Sequence, residues 1–305
     1  MKKYFFLMCI IIVALHAKRA CIGGLRAPSK PFISGDGFRA IADHVYDNTD
    51  TSLQPEEIAF ADIIFVKTDD LESFFNNIHP KITTAYILIS HNSDYGAPGN
   101  YVKYLNDPKL LRWYGQNPTV RHHDKFEAIP IGIINRYIEK IGDVDDYFKF
   151  NNFRNSNTIN KDILVGINFH VETFNERHTV FDMFSSQSYC QSIFAENHFD
   201  YLVNMSRCKY ILSPRGNGLD CHRTWEALLV GSIPIVSSSE MDELFQDMPI
   251  MIVKDWSEIN QQFLEEQYDD YYNYLNAYSL QKITYSYWEK HLLETQYAFR
   301  LEQHF

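Results

Sequence analysis

Tyr210-Ile-Leu-Ser-Pro-Arg-Gly-Asn-Gly-Leu-Asp-Cys-His-Arg-Thr-Trp-Glu-Ala-Leu-Leu-Val-Gly-Ser-Ile-Pro-Ile-Val236 is the stretch that decides the fold. An apolar run, a glycine-containing loop, a helical segment and a second apolar run follow one another, the order of a parallel α/β unit. The loop opens onto a helix start, where unpaired backbone N–H groups and the helix dipole favour an anion. Arg215 stands in front of Gly216, Asn217 and Gly218, and Arg223 and Glu226 share a helix face. Guanidinium forks suit a diphosphate, and a carboxylate one turn further on can accept the hydroxyls of a ribose. Diphosphate and ribose together describe a nucleotide.

The same alternation extends outward. Ile163–Ile167 reads as a buried strand, followed by a loop over residues 168–176 and a helix entered near Arg177. A helix is expected around residues 191–206, a last strand at Met251–Val253, and a helical, tyrosine-rich tail over 257–305. Toward the N-terminus, residues 36–47 carry Phe38, Ile41, Ala42 and Val45 at helical spacing. Residues 63–66, 85–89, 111–114 and 128–134 read as strands, with helices over 71–78, stopped by Pro80, and 101–105. Strands alternating with helices predict parallel, Rossmann-like sheets. The polar, Asn-rich stretch 149–161 is the expected linker, which divides the chain into domains 21–150 and 151–305.

Composition sets the class. With 305 residues, 45% of them hydrophobic, the chain can bury two cores, and a net charge of −11 argues against nucleic acid as a partner. Lys2 and Lys3 precede an apolar run and then Ala17 and Ala20, so residues 1–20 read as a secretory signal peptide. The run is short of the roughly twenty apolar residues that span a bilayer. The expected location is therefore the secretory pathway or outside the cell, with an uncleaved membrane anchor as the alternative. Of the five cysteines, Cys9 lies in the leader, and Cys21, Cys190, Cys208 and Cys221 show no disulfide framework and read as buried thiols. Adjacent His122 and His123 do not make a zinc site, and no Cys-x-x-Cys occurs.

On the segments Ser213-Pro-Arg-Gly-Asn-Gly-Leu-Asp-Cys-His-Arg-Thr-Trp-Glu-Ala-Leu228, Gly231-Ser-Ile-Pro-Ile-Val236 and Lys254-Asp-Trp-Ser-Glu-Ile259, the chain resembles the exostosin-like glycosyltransferases (glycosyltransferase family 47). The resemblance extends more weakly to Tyr86-Ile-Leu-Ile-Ser-His-Asn-Ser-Asp94 and Ile129-Pro-Ile-Gly-Ile133. It implies a GT-B fold of two Rossmann-like domains with a helical tail, the donor nucleotide bound by the C-terminal domain and the acceptor facing the N-terminal one. It also implies inverting transfer from a nucleoside-diphosphate sugar, the donor substrate, to a glycan or glycoconjugate, with no cofactor and no metal. At 305 residues the chain is short for that fold, which points to a trimmed acceptor domain.

Asn168, Arg177, Arg215, Gly216, Asn217, Gly218, Arg223 and Glu226 form the expected donor-binding set, since ligands of open α/β sheets lie beyond the carboxyl ends of the strands. Arg215, Arg223 and Glu226 are also expected to act in catalysis, joined by His91 and Asp94 at a strand end as candidate bases. Asp220 reads as the N-cap of the motif helix. The acidic run Asp143-Val-Asp145-Asp146 reads as a solvated turn, with a metal role as the alternative. Two other functions fit parts of the pattern. One is a catalytically inactive glycan- or nucleotide-binding module of the same fold. The other is a dinucleotide-dependent oxidoreductase, for which Gly216 and Gly218 supply only part of the fingerprint, Cys221 standing where a third glycine belongs.

Overall fold

The computed structural model describes residues 26–136, 138, 142–277 and 280–303. The leader over 1–20, with Cys9, and Cys21 lie outside the described residues. The chain divides into two compact units, one running up to Ile129 and resuming at Thr284, the other Pro130–Ile283. The division thus falls at 129/130, ahead of the Asn-rich stretch, and the C-terminal helix belongs with the first unit.

The first unit holds a five-stranded sheet, all parallel, in the order β1 (His44–Tyr46), β2 (Ile63–Lys67), β3 (Tyr86–His91), β4 (Leu110–Gly115), β5 (Phe126–Ala128). Its central strands are buried on both faces, which explains their unbroken apolar runs. Helix α1 (Gly35–Ile41) starts at Ser34, whose hydroxyl accepts from Gly37 N. The helix expected over 36–47 ends here, and the chain turns into β1 instead. Val45 and Tyr46 pair with Phe65 and Val66, so tertiary pairing overrides the helical spacing. Of the strand expected over 128–134, only Ala128 lies in a strand, at the end of β5.

The second unit holds helices α2 (Val144–Ser156), α3 (Asn175–Phe184), α4 (His198–Ser206), α5 (His222–Val230), α6 (Asp242–Phe245) and α7 (Gln261–Ala277). Its strands are β6 (Ile163–Ile167), β7 (Cys190–Ser192), β8 (Cys208–Leu212), β9 (Ile233–Ser237) and β10 (Met251–Val253). They form a second parallel five-stranded sheet, ordered β10-β9-β8-β6-β7. The expected α/β class with two Rossmann-like sheets is therefore what the chain adopts.

Two expectations in this unit need correction. The linker expected over 149–161 is helical through Ser156, because Val144, Tyr147 and Phe150 bury one side of α2. The helix expected over 191–206 is an edge strand, β7, followed by α4. Edge strands pair on one side only and need no apolar signature. The Asp143 run is a helix start rather than a solvated turn: Asp143 caps α2 by accepting from Asp145 N, and Asp146 is buried.

Helix α8 (Tyr285–Glu302) returns to the first unit. Its Gln296 donates to Asp43 Oδ2 at 2.6 Å, and Arg300 pairs with Asp62 at 2.7 Å. Among the described residues no helix is long and apolar enough to cross a membrane.

Candidate functional site

Topology locates the site before any side chain does. In the first sheet the strands follow one another in chain order, so no switch point arises. In the second, the chain moves from β6 to β7 on one side and then to β8 on the other. A crevice opens beyond the carboxyl ends where two connections diverge, and ligands of open sheets settle there. The loops that follow β6 and β8 are residues 168–174 and 213–221, so the motif of the sequence flanks the switch point of the second sheet.

Two arginines converge on these loops. Arg177, at the start of α3, donates from Nε to Arg215 O (2.8 Å), from Nη1 to His170 O (3.1 Å) and from Nη2 to Cys221 Sγ (3.4 Å). Arg223, on α5, donates to Asn168 O (2.7 Å) and Pro214 O (3.1 Å), while its Nε has no hydrogen-bond partner. They are 7% and 8% exposed. Neither pairs with a carboxylate in the described residues. Burial and the neighbouring charge of Arg223 hold Arg177 below its ordinary value. Buried charges are normally paired, so two adjacent cations bound only to carbonyls and sulfur are poised for an anion.

The helix start completes the cradle. Cys221 is the N-cap of α5 and its side chain makes no capping hydrogen bond, and the first turn carries no acid. Asp220, expected in that role, instead accepts from Ile131 N (2.8 Å) and Trp225 Nε1 (2.9 Å). Burial raises its carboxyl to about 6. His222 Nδ1 lies 2.8 Å from Gly132 O, which fixes the first helical residue. Gly231, at φ +80°, ends the helix in the left-handed conformation that suits glycine.

Gly216 has a steric purpose: a Cβ there would stand 2.9 Å from Arg177 Nη2. Neither Gly216 nor Gly218 has a positive φ, so the loop is not a left-handed turn. Arg215 covers the Phe174 ring at 4.4 Å and donates to Gly216 O and Asn217 O. Asn168 contributes its carbonyl to Arg223, and its side chain lies 3.5 Å from Ile193 O. Asn217 is exposed.

Glu226 departs from the simple picture. It does not pair with Arg223 but turns to partners of its own, only 7% exposed. There Oε1 accepts from Tyr147 OH (2.9 Å) and faces His198 Nε2 (3.2 Å), and Oε2 accepts from Tyr201 OH (3.2 Å). Burial opposes its charge, but the contacts with His198 and Tyr147 outweigh it and hold the carboxyl below its ordinary value. Tyr147, His198 and Tyr201 had no signal in the sequence, since each is an isolated polar residue on a helix.

In the first unit, His91 ends β3 at 1% exposure, its Nδ1 accepting from Asn92 N at 2.6 Å and its ring 5.3 Å from that of Phe38. Asp94 is exposed in the loop that follows. The pair is thus split between interior and solvent. Among the described residues no group of three His, Cys, Asp or Glu side chains is arranged to hold a metal ion. Cys190, Cys208 and Cys221 are free thiols.

No family model matches the chain. No curated protein matches it either. Among solved structures, it is similar to Anabaena Alr3699/HepE in complex with UDP-glucose, at TM-score 0.46 and 11% identity over 77% of this chain and 78% of that one. It is also similar to the catalytic domain of starch synthase IV from Arabidopsis thaliana bound to ADP and acarbose, at TM-score 0.41 and 13% identity over 87% and 78%. At these values neither likeness assigns a family or an activity to the chain.

Proposed function

We propose that the chain is a glycosyltransferase of the GT-B, exostosin-like kind that transfers a sugar from a nucleoside-diphosphate donor to a glycan or glycoconjugate. The observation that carries the reading is the pair Arg177 and Arg223, both buried, neither paired with a carboxylate, beside the uncapped start of α5 at a topological switch point. The donor diphosphate occupies that cradle, with Arg215 at its rim, and Glu226 receives a ribose hydroxyl through the lone pair its three neighbours leave open. As the bond to the sugar breaks, negative charge grows on the departing diphosphate. Guanidinium and N–H groups already aimed at it stabilise the transition state more than the ground state. Transfer is then a single displacement with inversion, and Asp94, the solvent-exposed member of its pair, is the base. The apolar leader makes the enzyme an exported or membrane-anchored one.

Calorimetry of the leaderless chain with UDP, GDP, CMP and NAD tests the reading, with Arg223→Ala alongside. Binding of one nucleoside diphosphate, lost in the variant, together with donor-dependent labelling of a glycan, is the expected result. Binding without transfer to any acceptor marks an inactive module instead. Preference for NAD, or no nucleotide binding at all, overturns the proposal.

A further inference from the structure

We propose that His198 is a positioning residue for Glu226: held between two carboxylates, its imidazolium fixes the orientation in which Glu226 meets the nucleoside. The inference rests on the donor-site reading above and adds the group that controls it. His198 Nε2 lies 3.2 Å from Glu226 Oε1 on α5, and Nδ1 lies 3.4 Å from Asp146 Oδ2 on α2, a charge contact in which the buried Nδ1 makes no hydrogen bond. Its side chain is 7% exposed. Only the imidazolium carries a hydrogen on both nitrogens, so only the charged ring can face both carboxylates as a donor. The neutral ring has one N–H and must leave either Asp146 or Glu226 facing a lone pair.

Donors, cations and the two carboxylates all surround the ring. Tyr147 on α2 and Tyr201 on α4 donate to the two oxygens of Glu226, and the rings of both lie against His198. Lys149 pairs with Asp146 at 2.7 Å, and His222 faces Glu226 from the first turn of α5. Arg223 reaches Tyr201 electrostatically from the same helix. A Cβ on Gly142 would stand 3.0 Å from the His198 ring, so the ring is confined from that side too. Burial works against its charge, but Glu226 and Asp146 outweigh burial and raise the imidazole above its ordinary value. His198 therefore joins three helices, and Arg223 sits one turn from the carboxylate it holds. Loss of the proton leaves one of the two carboxylates without its N–H donor and loosens Glu226, which Tyr147 and Tyr201 still contact, so the donor nucleotide is held less tightly.

Two readouts on the leaderless chain test this. In the first, ring-labelled histidine is titrated by NMR. His198 is expected to titrate above the ordinary range, and Glu226→Gln or Asp146→Asn lowers its midpoint. In the second, UDP-glucose and GDP-mannose serve as probes because their diphosphates do not titrate between about pH 6 and about 8. Affinity for the preferred probe falls about tenfold across the His198 titration, the worth of one charge-assisted hydrogen bond. His198→Gln, which keeps a donor but no titratable charge, binds at a weakened level that does not vary with pH. An unchanged affinity and pH profile in His198→Gln, or a His198 midpoint indifferent to both carboxylate variants, overturns the proposal alone. No binding of either probe at any pH, with the titration coupling intact, overturns the donor reading and with it the role given to His198.

Discussion

The guanidinium carbons of Arg177 and Arg223 stand 5.9 and 5.4 Å from the centre of one ring, Phe169, and each group is anchored to backbone carbonyls of the loops that follow β6 and β8. The shared ring gives two like charges a common apolar and electron-rich support. Planarity is the property in use here, and lysine lacks it. Arg177→Lys and Arg223→Lys are each expected to lower nucleoside-diphosphate affinity by at least about tenfold, in keeping with loss of a charge-assisted, bidentate contact. Calorimetry at fixed salt checks the loss, and circular dichroism confirms that the variants fold. Unchanged affinity in both places the anion elsewhere.

Gly216→Ala applies pressure to the same group from the other side. The added methyl would approach Arg177 Nη2 to 2.9 Å, and Arg177 is already tied to Arg215 O, His170 O and Cys221 Sγ. The backbone at Gly216 has no positive φ, so strain there is not the cause of any effect. A stability loss of about 1–2 kcal/mol, typical of overpacking, is expected together with weakened anion binding. Urea denaturation and calorimetry separate the two.

Gly231→Ala isolates the backbone term. Nothing lies within 4 Å of a Cβ at Gly231, so the cost is that of a φ of +80° alone. About 1 kcal/mol of stability is expected to disappear, with nucleotide affinity retained. A loss beyond several kcal/mol, or none, contradicts the account of this helix end.

Asp220 makes a signed statement about pH. Burial raises its carboxyl from 3.8 to about 6. The folded chain then holds a proton that the unfolded chain has released, so stability falls as the pH rises through that window and stays lower above it. The fall is on the order of 3 kcal/mol by linkage. Asp220→Asn keeps an acceptor for Ile131 N and Trp225 Nε1 and removes the titration, so its profile is expected to lack this slope. His198 has the opposite origin and the same direction. Its raised value adds stability that is complete below about pH 6.5 and is lost as the pH climbs through the folded value. Urea titrations of both variants across pH distinguish the two windows.

The candidate bases divide cleanly. His91→Ala removes a buried ring packed against Phe38 and is expected to destabilise the first unit by about 2–3 kcal/mol. Asp94→Asn alters an exposed loop and is expected to leave stability within about 0.5 kcal/mol. If Asp94 is the base, transfer falls by at least about a hundredfold in that variant while donor binding is kept. Normal turnover would remove it from the mechanism.

What the sequence made legible was whatever a local pattern carries. The apolar runs of β2, β3, β6, β8 and β9 announce buried parallel strands, and the segment from Arg215 to Glu226 announces a loop that opens onto a helix start. Strand β1 escaped because Val45 continues the helical spacing of Phe38, Ile41 and Ala42, and β7 because it is a three-residue polar edge with no apolar run. The partners of Glu226 escaped for another reason. Tyr147 and His198 lie 79 and 28 positions away, on helices where a polar residue reads as surface. Spacing placed Arg223 and Glu226 on one helix face, but it gave no sign that Glu226 would turn to partners of its own.

Helix α8 also bears on the order in which the chain is made. Residues 284–303 belong to the first unit, where Gln296 satisfies Asp43 and Arg300 satisfies Asp62. Every strand of the second sheet therefore leaves the ribosome before the first unit has its closing helix. Domains ordinarily complete from the N-terminus forward during synthesis. Here the second unit can finish first, while the earlier-made sheet waits with Asp43 and Asp62 short of these partners, the interval in which a chaperone has most to hold.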